Sequence, residues 1–167
     1  MNDRLLLAGM LSSTTLINRF FPVGQVYKQF YESSENLFDL LQFPDIWALG
    51  YFKWELEFLA TLGFGLDLEK CAVTGSTVDL KFISPKSGRA VSQAGAGEWS
   101  SKLLPFPIAA SGQGNSLEDI LDGLKVSQFF LERKVLAAFG MEHLPAARLR
   151  FISCLLYTSD AADDSLR

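Results

Sequence analysis

Residues 62–92 read "LGFGLDLEKCAVTGSTVDLKFISPKSGRAVS", and the fold turns on the change of texture inside them. Up to Gly65 the apolar residues recur at helical spacing. From Cys71 onward, in "CAVTGSTVDLKFISPKSGRAVSQAGAGEW", the runs are short and alternating, with Gly75, Pro85 and Gly88 as breaks. Alternation bounded by turn residues predicts strands near 78–84 and 88–93, joined at "SPKSG". The chain is therefore expected to be a helical protein interrupted by one small β insert.

Upstream, residues 3–43 are predicted to form two helices. Asp3 is placed to cap the first, and Leu6, Leu7, Met10, Leu11, Ile17, Phe20 and Phe21 follow at helical spacing. Pro22 and Gly24 break the chain before Val26, Tyr27, Phe30, Tyr31, Leu37, Phe38, Leu40 and Leu41 resume the period. Pro44 ends this stretch. A third helix, "DIWALGYFKWELEFLATLGFG" at 45–65, sets Ile46, Leu49, Phe52, Leu56, Leu59 and Leu62 on one stripe. It stops at Gly63 and Gly65, since glycine takes the left-handed conformation of a helix end without steric cost.

Downstream, "LLPFPIAASGQGNS" (103–116) reads as a connector. Ser116 and Asp119 have capping-box spacing, with Asp in place of the usual Glu or Gln. Ile120, Leu121, Leu124, Phe129, Leu136 and Phe139 then mark a helix that Gly140 closes. A last helix starts near Pro145, a residue suited to a first helical turn. The expected organisation is a first helical part over 1–70, an insert over 71–110, C-terminal helices over 111–153 packing on the first part, and a tail over 154–167.

The composition, 49% hydrophobic and 20% charged with 14 Phe, is that of a folded domain. The net charge of −4 does not advertise nucleic-acid binding, so any DNA-facing surface has to be a local patch. Two cysteines, Cys71 and Cys154, make no disulfide framework and point to a reducing compartment. The segment "MNDRLLLAGMLSSTTLINRFF" lacks a small-x-small cleavage site and reads as an amphipathic helix, not a signal peptide. No apolar run is long enough for a membrane span.

Catalytic constellations are missing from the pattern. The single histidine, His143, lies in a helix connection without a nucleophile beside it. Cys71 reads as a buried structural thiol. No glycine-rich segment has phosphate-loop spacing. The pairs Glu55/Glu57 and Asp119/Asp122 read as solvated helix faces. The residues thus disfavour a hydrolase or transferase and leave the basic side chains. Lys81, Lys86, Arg89 and Lys102 face only Asp79 and Glu98 within 72–110, and Arg133, Lys134, Arg148 and Arg150 cluster after the connector. These eight are the candidate DNA contacts, because phosphate binding needs positive charge on one face more than fixed spacing.

Residues 62–92 resemble the RecO family of bacterial DNA repair proteins, at the junction between that family's helical domain and its zinc-ribbon-like insert. "FKWELEFLATLGFG" (52–65) and "LDGLKVSQFFLERKVLAAFGMEHLPAARLRF" (121–151) extend the resemblance to about residues 5–153 and favour alphaproteobacterial forms. It implies a mainly α fold, a helical bundle with a small zinc-ribbon-like β insert. Zinc-bearing relatives carry two Cys-x-x-Cys pairs. Here Cys71 keeps the first position, Thr74 takes the second, and Val91 and Ala94 are assigned to the other pair. One thiolate cannot hold zinc, so no metal and no cofactor is expected, and apolar packing must hold the insert.

The resemblance also implies function: a cytoplasmic, nucleoid-associated, non-enzymatic recombination mediator. Such a protein binds single- and double-stranded DNA, anneals strands and works with RecR to load RecA. It also captures the acidic, Phe-ending tail of single-strand-binding protein, with no role at a membrane. An apolar slot and a cation would receive that tail, and Arg19, Lys28, Phe20, Tyr27 and Tyr31 are the residues matched to it. The family's N-terminal OB-fold barrel has no counterpart in the sequence, which implies a shortened reading frame. A helical interaction module without DNA contacts is the alternative.

The tail, "CLLYTSDAADDSLR" (154–167), follows a different logic. "CLLYTSDAADD" is what one frame of a transposase-based sequencing adapter encodes, so the tail is expected to be non-native and disordered. Without it the net charge is −2 and the only cysteine is Cys71.

Overall fold

The computed structural model describes residues 3–164. Helix α1 (Asp3–Phe20) carries Asp3 in its first turn and Arg19 in its last, both favourable to the helix dipole. Asp3, expected as the cap, is instead the first described residue of the helix itself. After the Pro22–Gly24 break come α2 (Lys28–Asp39), a 3₁₀ turn (Leu40–Gln42) and α3 (Pro44–Thr61). Pro44 in the first turn of α3 suits a position whose N–H has no helical partner.

Helix α3 is the axis of the molecule. Trp47, Ala48, Tyr51, Phe52, Trp54, Glu55, Phe58 and Leu59 are all buried, so it is covered on more than one side. The expected stripe over Ile46–Leu62 is therefore corrected: Phe52 and Leu59 belong to it, but Ile46 is exposed. The aromatic row Trp47, Tyr51, Trp54, Phe58 forms the other buried face. Successive rings lie 5.6–5.7 Å apart and meet Phe20, Phe30 and Phe151 from α1, α2 and the C-terminal helix. Helix α1 approaches closely because position 9 is glycine; a Cβ there would stand 2.2 Å from the Trp47 ring.

The insert holds a three-stranded antiparallel sheet in the order β2–β1–β3. Strand β1 (Leu80–Ile83) pairs with β2 (Ala90–Ser92) in the register Leu80↔Ser92 and Ile83↔Ala90, with an irregularity between Leu80 and Phe82. Helix α4 (Gln93–Ala96) and a 3₁₀ segment (Gly97–Lys102) lead to β3 (Leu104–Pro105). The connector expected there thus supplies a third strand. Ile83 and Ala90 join the main core, whereas Cys71, Val91 and Ala96 form a small core of the insert's own.

Helix α5 (Leu117–Phe130) begins with the full capping box: Ser116 Oγ accepts from Asp119 N–H, and the Asp119 carboxylate accepts from Ser116 N–H. It runs through a π-helical segment (Leu131–Val135) into α6 (Leu136–Phe139) and ends at Gly140, left-handed at φ 63°. Helix α7 (Ala146–Asp164) closes the bundle. It continues through 154–164, which corrects the expectation of a disordered tail. Leu155 lies one turn beyond Phe151 and both are fully buried, so the apolar face runs on without a break. The last three residues of that tail lie outside the described residues.

Candidate functional site

Three features could carry function. The first is an apolar groove where α1 ends and α2 begins. The Pro22–Gly24 break turns the chain away from the bundle and leaves Val23 and Val26 almost wholly exposed, at 105% and 88%. Between this loop and α2 lies a groove of about 870 Å³. Phe21 and Phe30 form its floor, with rings 4.8 Å apart, and Ile17, Val26, Tyr31 and Phe38 are among its walls. Lys28 lines it and is exposed, with only a loose 4.0 Å contact to Glu32. The Tyr31 hydroxyl donates to Glu35 Oε1 at 2.7 Å, and that bond and the Glu35 charge raise the phenol above its ordinary pKa.

Of the five residues matched to a partner's tail, the structure brings Tyr27, Lys28 and Tyr31 to this groove. Phe20 is corrected: it is buried, edge-on to Phe58 and Phe139. Arg19 is also absent from the lining, and its Nε donates to Met141 Sδ at 3.4 Å. Sequence reasoning did not single out Phe21, Val23 and Val26 for the groove. The available signal was an apolar pair flanking a Pro–Gly break, where no regular element could bury it.

The second feature is the distribution of basic residues. Lys86 and Lys134 meet in a cleft of about 280 Å³ at the seam between insert and bundle. Arg89 pairs with Asp67 at 3.5 Å, and Lys81 lies 3.9 Å from Asp79. Lys102 stands 4.7 Å over the ring of exposed Trp99. Arg133 lines a separate cleft with Glu132, Glu142 and His143, and Arg150 is exposed on α7. His143 is exposed, 3.9 Å from Glu142, with no nucleophilic side chain in that cleft.

Arg148 is corrected. It is fully buried and unavailable to DNA, gripping Glu55 with Nε to Oε2 at 2.9 Å and Nη2 to Oε1 at 2.8 Å. Burial pushes the guanidinium pKa down, but the Glu55 charge and hydrogen bonds outweigh it and raise it. Glu55 is equally buried, so it is no solvated face. Ser127 Oγ and Tyr51 Oη also donate to Glu55, and burial with the Glu55 charge holds the Tyr51 phenol well above its usual pKa.

The third feature is Cys71, buried as expected. Its Sγ accepts from Val73 N–H and Thr74 N–H at 3.4 Å, Ser92 N–H at 3.2 Å and Ser92 Oγ at 3.3 Å. Burial raises the thiol pKa, but the bonds from Ser92 and Thr74 together outweigh it and bring the value down to about 6. Ser92 and Gly95 stand beside the sulfur, and a Cβ on Gly95 would lie 2.8 Å from it, while Val91 packs in the same small apolar core. A donor set of one thiolate, the Thr74 and Ser92 hydroxyls and a glycine does not fit zinc. Among the described residues no group of three or more metal-binding side chains gathers anywhere. No helix among them is long and apolar enough to cross a membrane.

The chain was also compared with known proteins. The family model "Recombination protein O C terminal" matches residues 1–141. The DNA repair protein RecO of Ruegeria sp. (strain TM1040) is 45% identical over 156 residues, 93% of this chain and 65% of its own length. The RecO proteins of Jannaschia sp. (strain CCS1) and Roseobacter denitrificans are 44% and 41% identical, over 93% and 91% of this chain. The chain spans 63% and 64% of the length of those two. No solved structure matches it.

Proposed function

The chain belongs to the recombination protein O family, in its alphaproteobacterial form, and from that membership we propose that it serves DNA repair and recombination as the partner-binding helical part of a non-enzymatic mediator. In this reading the whole protein binds single- and double-stranded DNA, anneals strands and acts with RecR to load RecA. The helical part captures the acidic, Phe-ending tail of single-strand-binding protein.

The observation that carries the proposal is the α1–α2 groove. A terminal Phe ring needs a preformed apolar slot, and Phe21, Phe30 and Phe38 line one. Its carboxylate needs a cation free to turn toward it, and exposed Lys28 is the basic residue in the lining. Glu35 stands at the same groove but is engaged by Tyr31. Titrating a labelled acidic peptide ending in Phe tests the assignment. Lys28→Glu should weaken binding at least tenfold, and Arg19→Glu, outside the lining, should leave it within about twofold. Equal loss in both variants, or in neither, would overturn it.

One observation favours a second reading, an interaction module without DNA contacts. The candidate cations are dispersed: Lys86 and Lys134 share one cleft, Arg133 lines another with two glutamates, and Arg89 is paired with Asp67. A DNA titration at low salt separates the two readings, because phosphate binding is strongest there.

A further inference from the structure

The seam between insert and bundle is built to hold two lysines together. The β1–β2 turn folds back onto the chain that follows α3. Gly88 sits at φ +71°, where a Cβ would come 3.1 Å from Leu66 Cδ2 and 3.6 Å from the Phe130 ring. Only glycine combines that conformation with so close an approach. Three backbone hydrogen bonds clamp the turn: Gly88 N–H to Ser84 O, Asp67 N–H to Gly88 O, and Ala90 N–H to Asp67 O, at 2.8, 3.0 and 2.8 Å.

This brings Lys86 of the turn opposite Lys134 of the π-helical segment, across a cleft shared with Ser87, Gly63 and Gly65. No carboxylate lines the cleft, and neither lysine enters an ion pair among the described residues. The C-terminal turn of α3 leads into Gly63 and Gly65 at the cleft, and three of its carbonyl acceptors are occupied. Phe58, Leu59 and Ala60 carbonyls accept from Leu62, Phe64 and Gly63 N–H. The neighbouring charges Arg89 and Asp67 neutralise each other.

We infer that the Lys86–Lys134 cleft seats a backbone phosphate of a nucleic-acid strand crossing the seam. Two unpaired ammonium groups supply the charge, the Ser87 hydroxyl supplies a donor, and the glycine backbone lets the strand approach closely. The inference deepens the DNA-binding part of the proposed function and rests on it.

The test titrates a fluorescein-labelled oligo-dT with the full chain across a salt series. Replacing both lysines, Lys86→Ala with Lys134→Ala, should weaken binding and flatten the plot of log affinity against log salt by about 1.4, roughly 0.7 per lost single-strand contact. Lys86→Arg with Lys134→Arg should keep the slope, which a merely structural role for the lysines would not require. Lys125→Ala, which removes a lysine paired with Asp122 at 2.7 Å, should change nothing. Unaltered slope in the double alanine variant, with wild-type binding intact, overturns this inference alone. Absent wild-type binding at the lowest salt overturns the DNA reading beneath it. Inorganic phosphate competing at matched ionic strength, without a slope change in the variant, marks a small-anion site and also overturns the inference.

Discussion

Arg148 and Glu55, 93 positions apart in the chain, form a two-pronged ion pair with both side chains fully buried. The pair ties α7 to α3, and Arg148 also donates to Leu124 O and Gln128 Oε1, which brings in α5. Every buried side-chain polar atom described has a hydrogen-bond partner, so the network is complete.

Breaking that pair from one side should be costly. Arg148→Met leaves the Glu55 carboxylate buried without its cation and is expected to destabilise the fold by about 3–5 kcal/mol in urea unfolding. Adding Glu55→Leu should recover much of the loss, because the desolvated charge is then gone. A double variant no more stable than Arg148→Met would show that packing, not charge compensation, sets the cost.

Cys71 should make the stability of the protein depend on pH. Its folded-state pKa, about 6, is depressed below the ordinary thiol value of 9.0. A depressed acid contributes stability that is fully present above the unfolded value and is lost as pH falls toward the folded one. Cys71→Ala should therefore cost most near pH 9, and the gap to the wild type should narrow steadily toward pH 6. Urea midpoints of both proteins across that window measure it, and a gap independent of pH would refute the thiolate assignment.

Gly9→Ala should be destabilising although alanine is the better helix former. The added methyl would meet the Trp47 ring at 2.2 Å and Phe151 at 3.0 Å, and it must push α1 off the aromatic row. Overpacking of this kind costs about 1–3 kcal/mol. Thermal unfolding reads it directly, and a raised midpoint would contradict the close approach.

Ser116→Ala removes one half of the capping box at α5 and should cost about 1 kcal/mol. Ser116→Asp, which still accepts from Asp119 N–H, should retain most of the stability. A loss as large in the aspartate variant would mean that the cap is not the source of the effect.

Much of the fold was legible because local chemistry fixes local elements. Ser116 and Asp119, Gly140 and Pro145 mark helix ends through hydrogen bonds and backbone angles that depend on near neighbours alone. Strand β3 was not legible: two residues in a proline-rich connector have no alternation to detect, and only pairing with β1 makes them a strand. The faces of α3 were half legible, since a helix buried on several sides carries no single apolar stripe.

The site divides the same way. Lys28, Tyr27 and Tyr31, matched through the family resemblance, do line one groove. The burial of Phe20 and the turning of Arg19 toward Met141 were not legible, because each depends on a partner more than 35 residues away. Likewise the contact of Ser92 and Gly95 with the Cys71 sulfur was not legible, because strand register and not spacing sets what faces that residue.

By itself the sequence determined the class of the protein: helices around a small β insert, one thiolate where zinc would need several ligands, and the motifs of its family. The tertiary structure alone decided which charges remain available. Arg148 and Arg150 are indistinguishable in the sequence, yet one is locked onto Glu55 and the other is exposed. A charge's role depends on what the fold brings within a few ångströms of it, and no local pattern encodes that neighbour.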